Sequence, residues 1–277
     1  MEIKLRPNHQ AFLERFVKVC QSDARIAAAV LVGSYAKGKA DDYSDLDLFL
    51  ITTDEAYDDF LAGREAFIRR LGEPLFMEDF ELPGIVFLIF ADGSEVELSH
   101  VREGEADSIF NEPFKTLLDK KNITAGAVPR ARKRDRDGQQ EKLRRLIYWF
   151  WHEVSHFTTA LARGQLWWAH GQLGALRLYC MNLARLRKDF SDPDVGQEGY
   201  FKIENALPVE HLSALQMTFP PLEQHAMIQA AIDMINFYKE LAPPLAQAHG
   251  IAYPAKLEQV MVERLEKLRN SQLKVDD

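Results

Sequence analysis

The chain has 277 residues, 47% hydrophobic and 27% charged, with a formal net charge of -8. That length accommodates one large domain or two ordinary ones, and the composition is that of a folded globular chain rather than a disordered one. The acidic balance argues against the broad basic surface of a general nucleic-acid binder and is compatible with a cationic substrate. Cys20 and Cys180 lie far apart in apolar, helical contexts, so they read as small buried hydrophobes rather than disulfide or zinc ligands.

The N-terminal stretch MEIKLRPNHQAFLERF lacks the apolar core of a signal peptide, and no apolar run approaches the ~20 residues of a membrane span. The expected location is therefore the cytoplasm, with no membrane partner. Apolar residues Phe12, Leu13, Phe16, Val17 and Cys20 recur at a helical period. RIAAAVLV then reads as a buried strand and runs straight into Gly33-Ser34. After a polar loop, LDLFLIT resumes as a second strand.

A strand alternates its side chains between faces, so Asp45 and Asp47 point one way while Leu46 and Leu48 point the other. Two carboxylates held side by side repel, and a divalent cation is the natural compensation. A glycine at the strand end lets the backbone approach a ligand closely, and the neighbouring N–H groups with the Ser34 hydroxyl can grip a phosphate. Ten residues separate Ser34 from Asp45, enough to fold the second strand back beside the first. Hard carboxylates beside a phosphate grip suit Mg²⁺ and predict metal-assisted transfer of a phosphorus group. Lys37 and Lys39 either steady the phosphates or are solvated.

Further along, DEAYDDFLAGREAFIRRLG is helical, with Phe60, Leu61, Phe67, Ile68 and Leu71 available to a core. GIVFLIF is a third strand, and after the turn ADGS the stretch EVELSHV alternates as a fourth. These connections are too short for a full doubly wound fold and indicate a mixed α/β arrangement. The charged stretch PRARKRDRDGQQ marks a linker or a helix entry. The expected division is a domain over 1–128 and an all-helical one over 138–277.

In the second half, Leu143, Leu146, Ile147, Phe150, Val154, Phe157 and Leu161 form one stripe. Helices follow over QLWWAHGQLGALRLYCMNLARLRK, around LEQHAMIQAAIDMINFYKEL and over KLEQVMVERLEKL. Helical spacing places at least half of Trp149, Trp151, Trp167 and Trp168 in the core, the rest being available to stack on a ligand. Glu153, beside His152, can accept a proton from a substrate hydroxyl, bind a substrate ammonium, or lie on the surface. Arg163 pairs with the helix C-terminus or reaches a phosphate.

Gly33-Ser34 followed by Ser44-Asp45-Leu46-Asp47-Leu48 resembles the signature of the polymerase-β-like nucleotidyltransferase superfamily. FADGSEVELSH followed by KTLLDKKN is similar to the corresponding run of streptomycin (aminoglycoside 6-) adenylyltransferases. YWFWHEVSHF with ALARGQLWWAHGQLGALRL resembles both those enzymes and the lincosamide nucleotidyltransferases, and GIAYP echoes a late Tyr-Pro of the aminoglycoside group. The resemblance implies an α+β nucleotidyltransferase fold with a mixed sheet, followed by the helical domain as the substrate-binding part. It implies ATP or another nucleoside triphosphate as co-substrate, with Gly33, Ser34, Lys37 and Ser44 at the nucleotide.

The resemblance further implies a third carboxylate on a later strand. Glu97 is the assignment, completing a metal set with Asp45 and Asp47; Glu95, on the same face, is the competitor. This acid is Glu where the aminoglycoside group has Asp. The implied activity is transfer of AMP, or another nucleoside monophosphate, to a hydroxyl of a small molecule such as an aminoglycoside or lincosamide antibiotic. Asp45, Asp47, Glu97 and Glu153 are the catalytic set under that reading, and a homodimer is compatible with it. An AMP transferase that modifies a protein partner in a toxin–antitoxin pair is the alternative.

Overall fold

The computed structural model describes residues 5–82, 84–129, 136–192, 195–196 and 199–272. The chain divides into two compact units, Met1–Lys133 and Arg134–Asp277. Residues 130–135 of the charged stretch expected as a linker lie outside the described residues.

The first unit opens with α1 (Pro7–Ser22), which starts on a proline whose fixed φ suits the first helical turn. Its buried Phe12, Leu13, Phe16 and Cys20 lie on one stripe against the sheet. Strand β1 (Ile26–Leu31) is buried at every position, as a central strand covered on both faces must be. A single helical turn, α2 (Gly33–Ala36), leads through the polar loop to β2 (Leu46–Thr52). The helix expected over DEAYDDFLAGREAFIRRLG is broken at Gly63 into α3 (Tyr57–Ala62) and α4 (Arg64–Leu71).

Two strands escaped the sequence pattern. β3 (Pro74–Glu78) is an exposed edge strand with no apolar alternation, and it precedes β4 (Ile85–Phe90) and β5 (Glu95–Arg102). β6 (Lys115–Asp119) forms the other edge. The order across the sheet is β3-β4-β5-β2-β1-β6, with β2 and β5 parallel and the other neighbours antiparallel. The Leu-Leu-Asp-Lys element is thus an edge strand and its exit. Asp119 accepts hydrogen bonds from the Ile123 and Thr124 N–H groups, and Lys120 Nζ donates to the carbonyls of Cys20 and Asp23 at 2.8 Å each.

The inner faces of β2 separate cleanly. Leu46, Leu48 and Leu50 join the larger core with α1 and α4, while Ile51, with Phe49 beside it, packs on the opposite face with Ala28, Val30, Ile109 and Phe110. Asp47 shares the Phe49 face by strand alternation.

The second unit is helical: α5 (Arg136–Ala162), α6 (Leu166–Lys188), α7 (Ile203–Ala206), α8 (Val209–Gln216), α9 (Gln224–Ala248) and α10 (Ala255–Gln272). The predicted α5 stripe is its core, meeting Leu173, Leu176, Cys180 and Leu183 of α6. Helix α9, predicted around LEQHAMIQAAIDMINFYKEL, runs on past Pro243 and Pro244. Leu245 and Ala246 beyond the prolines remain buried in the same core, and that burial offsets the lost backbone bonds. No helix among the described residues is long and apolar enough to cross a membrane.

Candidate active site

Gly33 adopts φ +63°, the left-handed region that glycine enters without penalty. The Val32 N–H donates to the Asp47 carbonyl at 2.9 Å, drawing the strand exit onto β2. The Asp47 carboxylate then lies over the Gly33 α-carbon; a β-carbon there would sit 1.6 Å from Oδ2. The Ser34 backbone N–H interacts favourably with that carboxylate. The Ser34 hydroxyl is buried and has no hydrogen-bond partner among the described residues.

Parallel pairing of β2 with β5 sets Asp47 directly beside Glu97. Glu97 is half-buried, whereas Glu95, two residues earlier on the same face, is exposed. Burial above all, then the charges of Asp45, Glu97 and Glu112, push the Asp47 carboxyl up to about 6 from 3.8. The sheet therefore sets Glu97 beside Asp47, and Asp45, just before β2, is near enough for its charge to act on Asp47. Their donors are all hard carboxylate oxygens, the charges of Asp45 and Glu97 hold the Asp47 carboxyl up, and the Ser34 hydroxyl belongs to the residue whose backbone N–H meets Asp47. Those features fit a hard divalent cation shared with a phosphate.

Lys37 and Ser44 have partners of their own. Lys37 forms an ion pair with Glu112. Ser44 closes its own loop: its hydroxyl donates to Asp41 Oδ1 at 3.1 Å and accepts from the Asp41 N–H at 2.9 Å. Arg6 pins that loop by donating to the carbonyls of Asp42 and Ser44 at 2.9 and 2.8 Å.

In the helical unit, Glu153 is half-buried on α5 between His152 and His156. His156 was not among the sequence candidates, although HEVSH spells a His-Glu-x-x-His spacing that would have singled it out. Of the four tryptophans only Trp151 is buried, which corrects the expectation that at least half are core. Trp149 lies two residues before Trp151, which turns it well away from the stripe that meets α6; Trp167 and Trp168 open α6 on its exposed side. A cavity of about 400 Å³ in this unit is lined by Lys142, Arg145, Trp149 and Tyr179 among others. Arg163 is exposed and follows the last turn of α5.

Among curated proteins no relative matches the chain. Solved structures similar to it include an aminoglycoside 6-adenyltransferase from Bacillus subtilis, at 18% identity and TM-score 0.38, covering 95% of this chain and 99% of that one. A nucleotidyltransferase-like protein from Exiguobacterium sibiricum is similar at 11% identity and TM-score 0.38, over 83% of this chain and 74% of the other. The Thermotoga maritima CCA-adding enzyme, solved with tRNA, is similar at 11% identity and TM-score 0.33, over 99% and 84%. The model of the streptomycin adenylyltransferase family matches residues 7–268, nearly the whole chain. The chain therefore belongs to the streptomycin adenylyltransferase family and is a nucleotidyltransferase.

Proposed function

We propose that this enzyme transfers AMP from ATP to a hydroxyl of a small molecule, an aminoglycoside or lincosamide antibiotic, in the cytoplasm. The observation that carries the reading is the pairing of Asp47 with Glu97 beside Gly33 and Ser34, in a chain matched to its family over both units. Asp45, Asp47 and Glu97 would hold Mg²⁺, which when bound neutralises phosphate charge. The Ser34 hydroxyl, having no hydrogen-bond partner among the described residues, would donate to a phosphate oxygen of the nucleotide. Gly33 keeps the backbone low enough for that approach. Lys37 reaches the nucleotide in this reading only by leaving Glu112.

Glu153 is assigned to the acceptor, as the base for its hydroxyl or the anchor of an ammonium group. The cavity lined by Lys142 and Arg145 is a poor match for a polycationic aminoglycoside, because like charges there repel; a planar or anionic group suits it better.

Incubation with α-labelled ATP, Mg²⁺ and a panel of aminoglycosides and lincosamides tests the reading. Label on a drug, lost in Asp45→Asn, is the expected result. Label on a protein band instead of any drug would establish the protein-modifying alternative, and no transfer to any acceptor from any nucleoside triphosphate would overturn both.

A further inference from the structure

One helical turn of α5 carries His152, Glu153 and His156. Residues four apart share a helix face, so the two imidazoles stand together, with ring centroids 4.2 Å apart. Glu153 turns its carboxylate between them: Oε1 lies 3.2 Å from His152 Nδ1 and Oε2 lies 3.6 Å from His156 Nδ1. One ligand atom from each of the three falls within 4.8 Å of the others. Ligands about 2.05 Å from a tetrahedral ion stand roughly 3.3 Å from one another. The two histidine–carboxylate separations bracket that edge.

The carboxylate is also held from behind. With the Gln172 amide oriented so that its oxygen accepts from Trp168 Nε1 at 2.9 Å, its nitrogen donates to Glu153 Oε2. Such an outer hydrogen bond fixes a ligating carboxylate in place. Both histidines are about half exposed, which leaves an ion an entry path and room for water.

We propose that His152, Glu153 and His156 bind a divalent transition metal of the zinc class, at a site separate from Asp45 and Asp47. Imidazole nitrogens favour Zn²⁺, Co²⁺ or Ni²⁺, whereas the all-oxygen carboxylate set favours Mg²⁺. The same spacing serves hydrolytic zinc helices, where the glutamate is the base and a further protein ligand completes the set. Here the carboxylate itself stands at ligand distance, and no other His, Cys, Asp or Glu of the described residues joins the group. The site therefore binds without being built for hydrolysis. In the metal-free protein Glu153 stays available to the acceptor, and the test below reads the metal alone, so it stands whatever the transfer reaction proves to be.

The full chain, free of any affinity tag and stripped with a chelator, is titrated with Co²⁺ while its visible absorption is followed. The expected result is one equivalent of Co²⁺ with the intense bands of low coordination, displaced by Zn²⁺ and unmoved by excess Mg²⁺. His152→Ala/His156→Ala should lose the bands while keeping the wild-type circular dichroism and Tm, and Gln172→Leu should weaken binding about tenfold to a hundredfold. Absence of stoichiometric uptake by the wild type would overturn the proposal. Wild-type binding by the double variant, or loss of the bands in Asp45→Asn/Asp47→Asn instead, would overturn it equally.

Discussion

The Asp47 carboxylate rests on the bare α-carbon of Gly33, so close that no side chain can stand between them. One residue supplies the negative charge and the other the gap that admits it, which is why a glycine is needed 14 positions before this aspartate. Gly33→Ala meets two penalties: a left-handed backbone that costs about 1–2 kcal/mol with a β-carbon, and a collision with Asp47. The variant should unfold at lower denaturant and, by displacing Asp47, lose nearly all transfer. Wild-type turnover in Gly33→Ala would show that the close approach is dispensable.

Asp47 itself should destabilise the metal-free protein. Its carboxyl is raised from 3.8 to about 6, first by burial and then by Asp45, Glu97 and Glu112. The folded state thus holds the proton more tightly than the unfolded chain, so stability falls as pH rises from about 4 to about 6 and stays reduced above that. At about 1.4 kcal/mol per tenfold change in protonation, the effect is on the order of 3 kcal/mol at pH 8. Asp47→Asn should raise Tm at pH 8 in chelator and flatten that dependence, while abolishing transfer. Mg²⁺ should raise the Tm of the wild type at pH 8 and leave Asp47→Asn unmoved.

Ser34→Ala separates binding from folding. Among the described residues its buried hydroxyl has no hydrogen-bond partner, and such a group carries a desolvation cost without adding to the fold. Stability by urea denaturation should therefore be equal to or slightly above wild type. A hydrogen bond to a charged phosphate is worth about 1.5–3 kcal/mol, so nucleotide affinity should fall roughly tenfold to a hundredfold. Unchanged affinity would make the Ser34 hydroxyl irrelevant to the nucleotide.

Glu97 and Glu95 share a strand face but not a neighbourhood, since Glu97 pairs with Asp47 and Glu95 is exposed. Glu97→Gln should slow transfer to every acceptor alike and raise the Mg²⁺ needed for half-maximal rate; Glu95→Gln should match wild type. The reverse pattern in steady-state kinetics would assign the third acid to Glu95.

Glu153→Gln should leave ATP binding intact and slow transfer by an amount that changes from one acceptor to the next, within the 10²–10⁴-fold typical of a general base. Isothermal titration with ATP and rates across the drug panel check the two halves of that statement. An equal loss with all acceptors, accompanied by weaker ATP binding, would remove Glu153 from the acceptor side.

The local pattern of residues determined much of this protein. Two-residue alternation set Asp47 on the face of β2 opposite Leu46 and Leu48, and three-four spacing marked the core stripes of α1 and α5, because both periods are written in consecutive residues. The exposed edge strand β3 has no apolar period to read, and β6 is too short for one. What pairs with what across distant segments was decided only by the tertiary structure. The register of β5 against β2 set Glu97 beside Asp47, the fold-back of the strand exit put Gly33 beneath Asp47, and Glu112 took up Lys37. The HEVSH spacing likewise placed two histidines on one helix face, but the carboxylate between them is aimed by Gln172 and Trp168 of α6, residues that no period of α5 can specify. Backbone hydrogen bonding and side-chain packing between segments remote in sequence fix such contacts, and a local period carries no record of them.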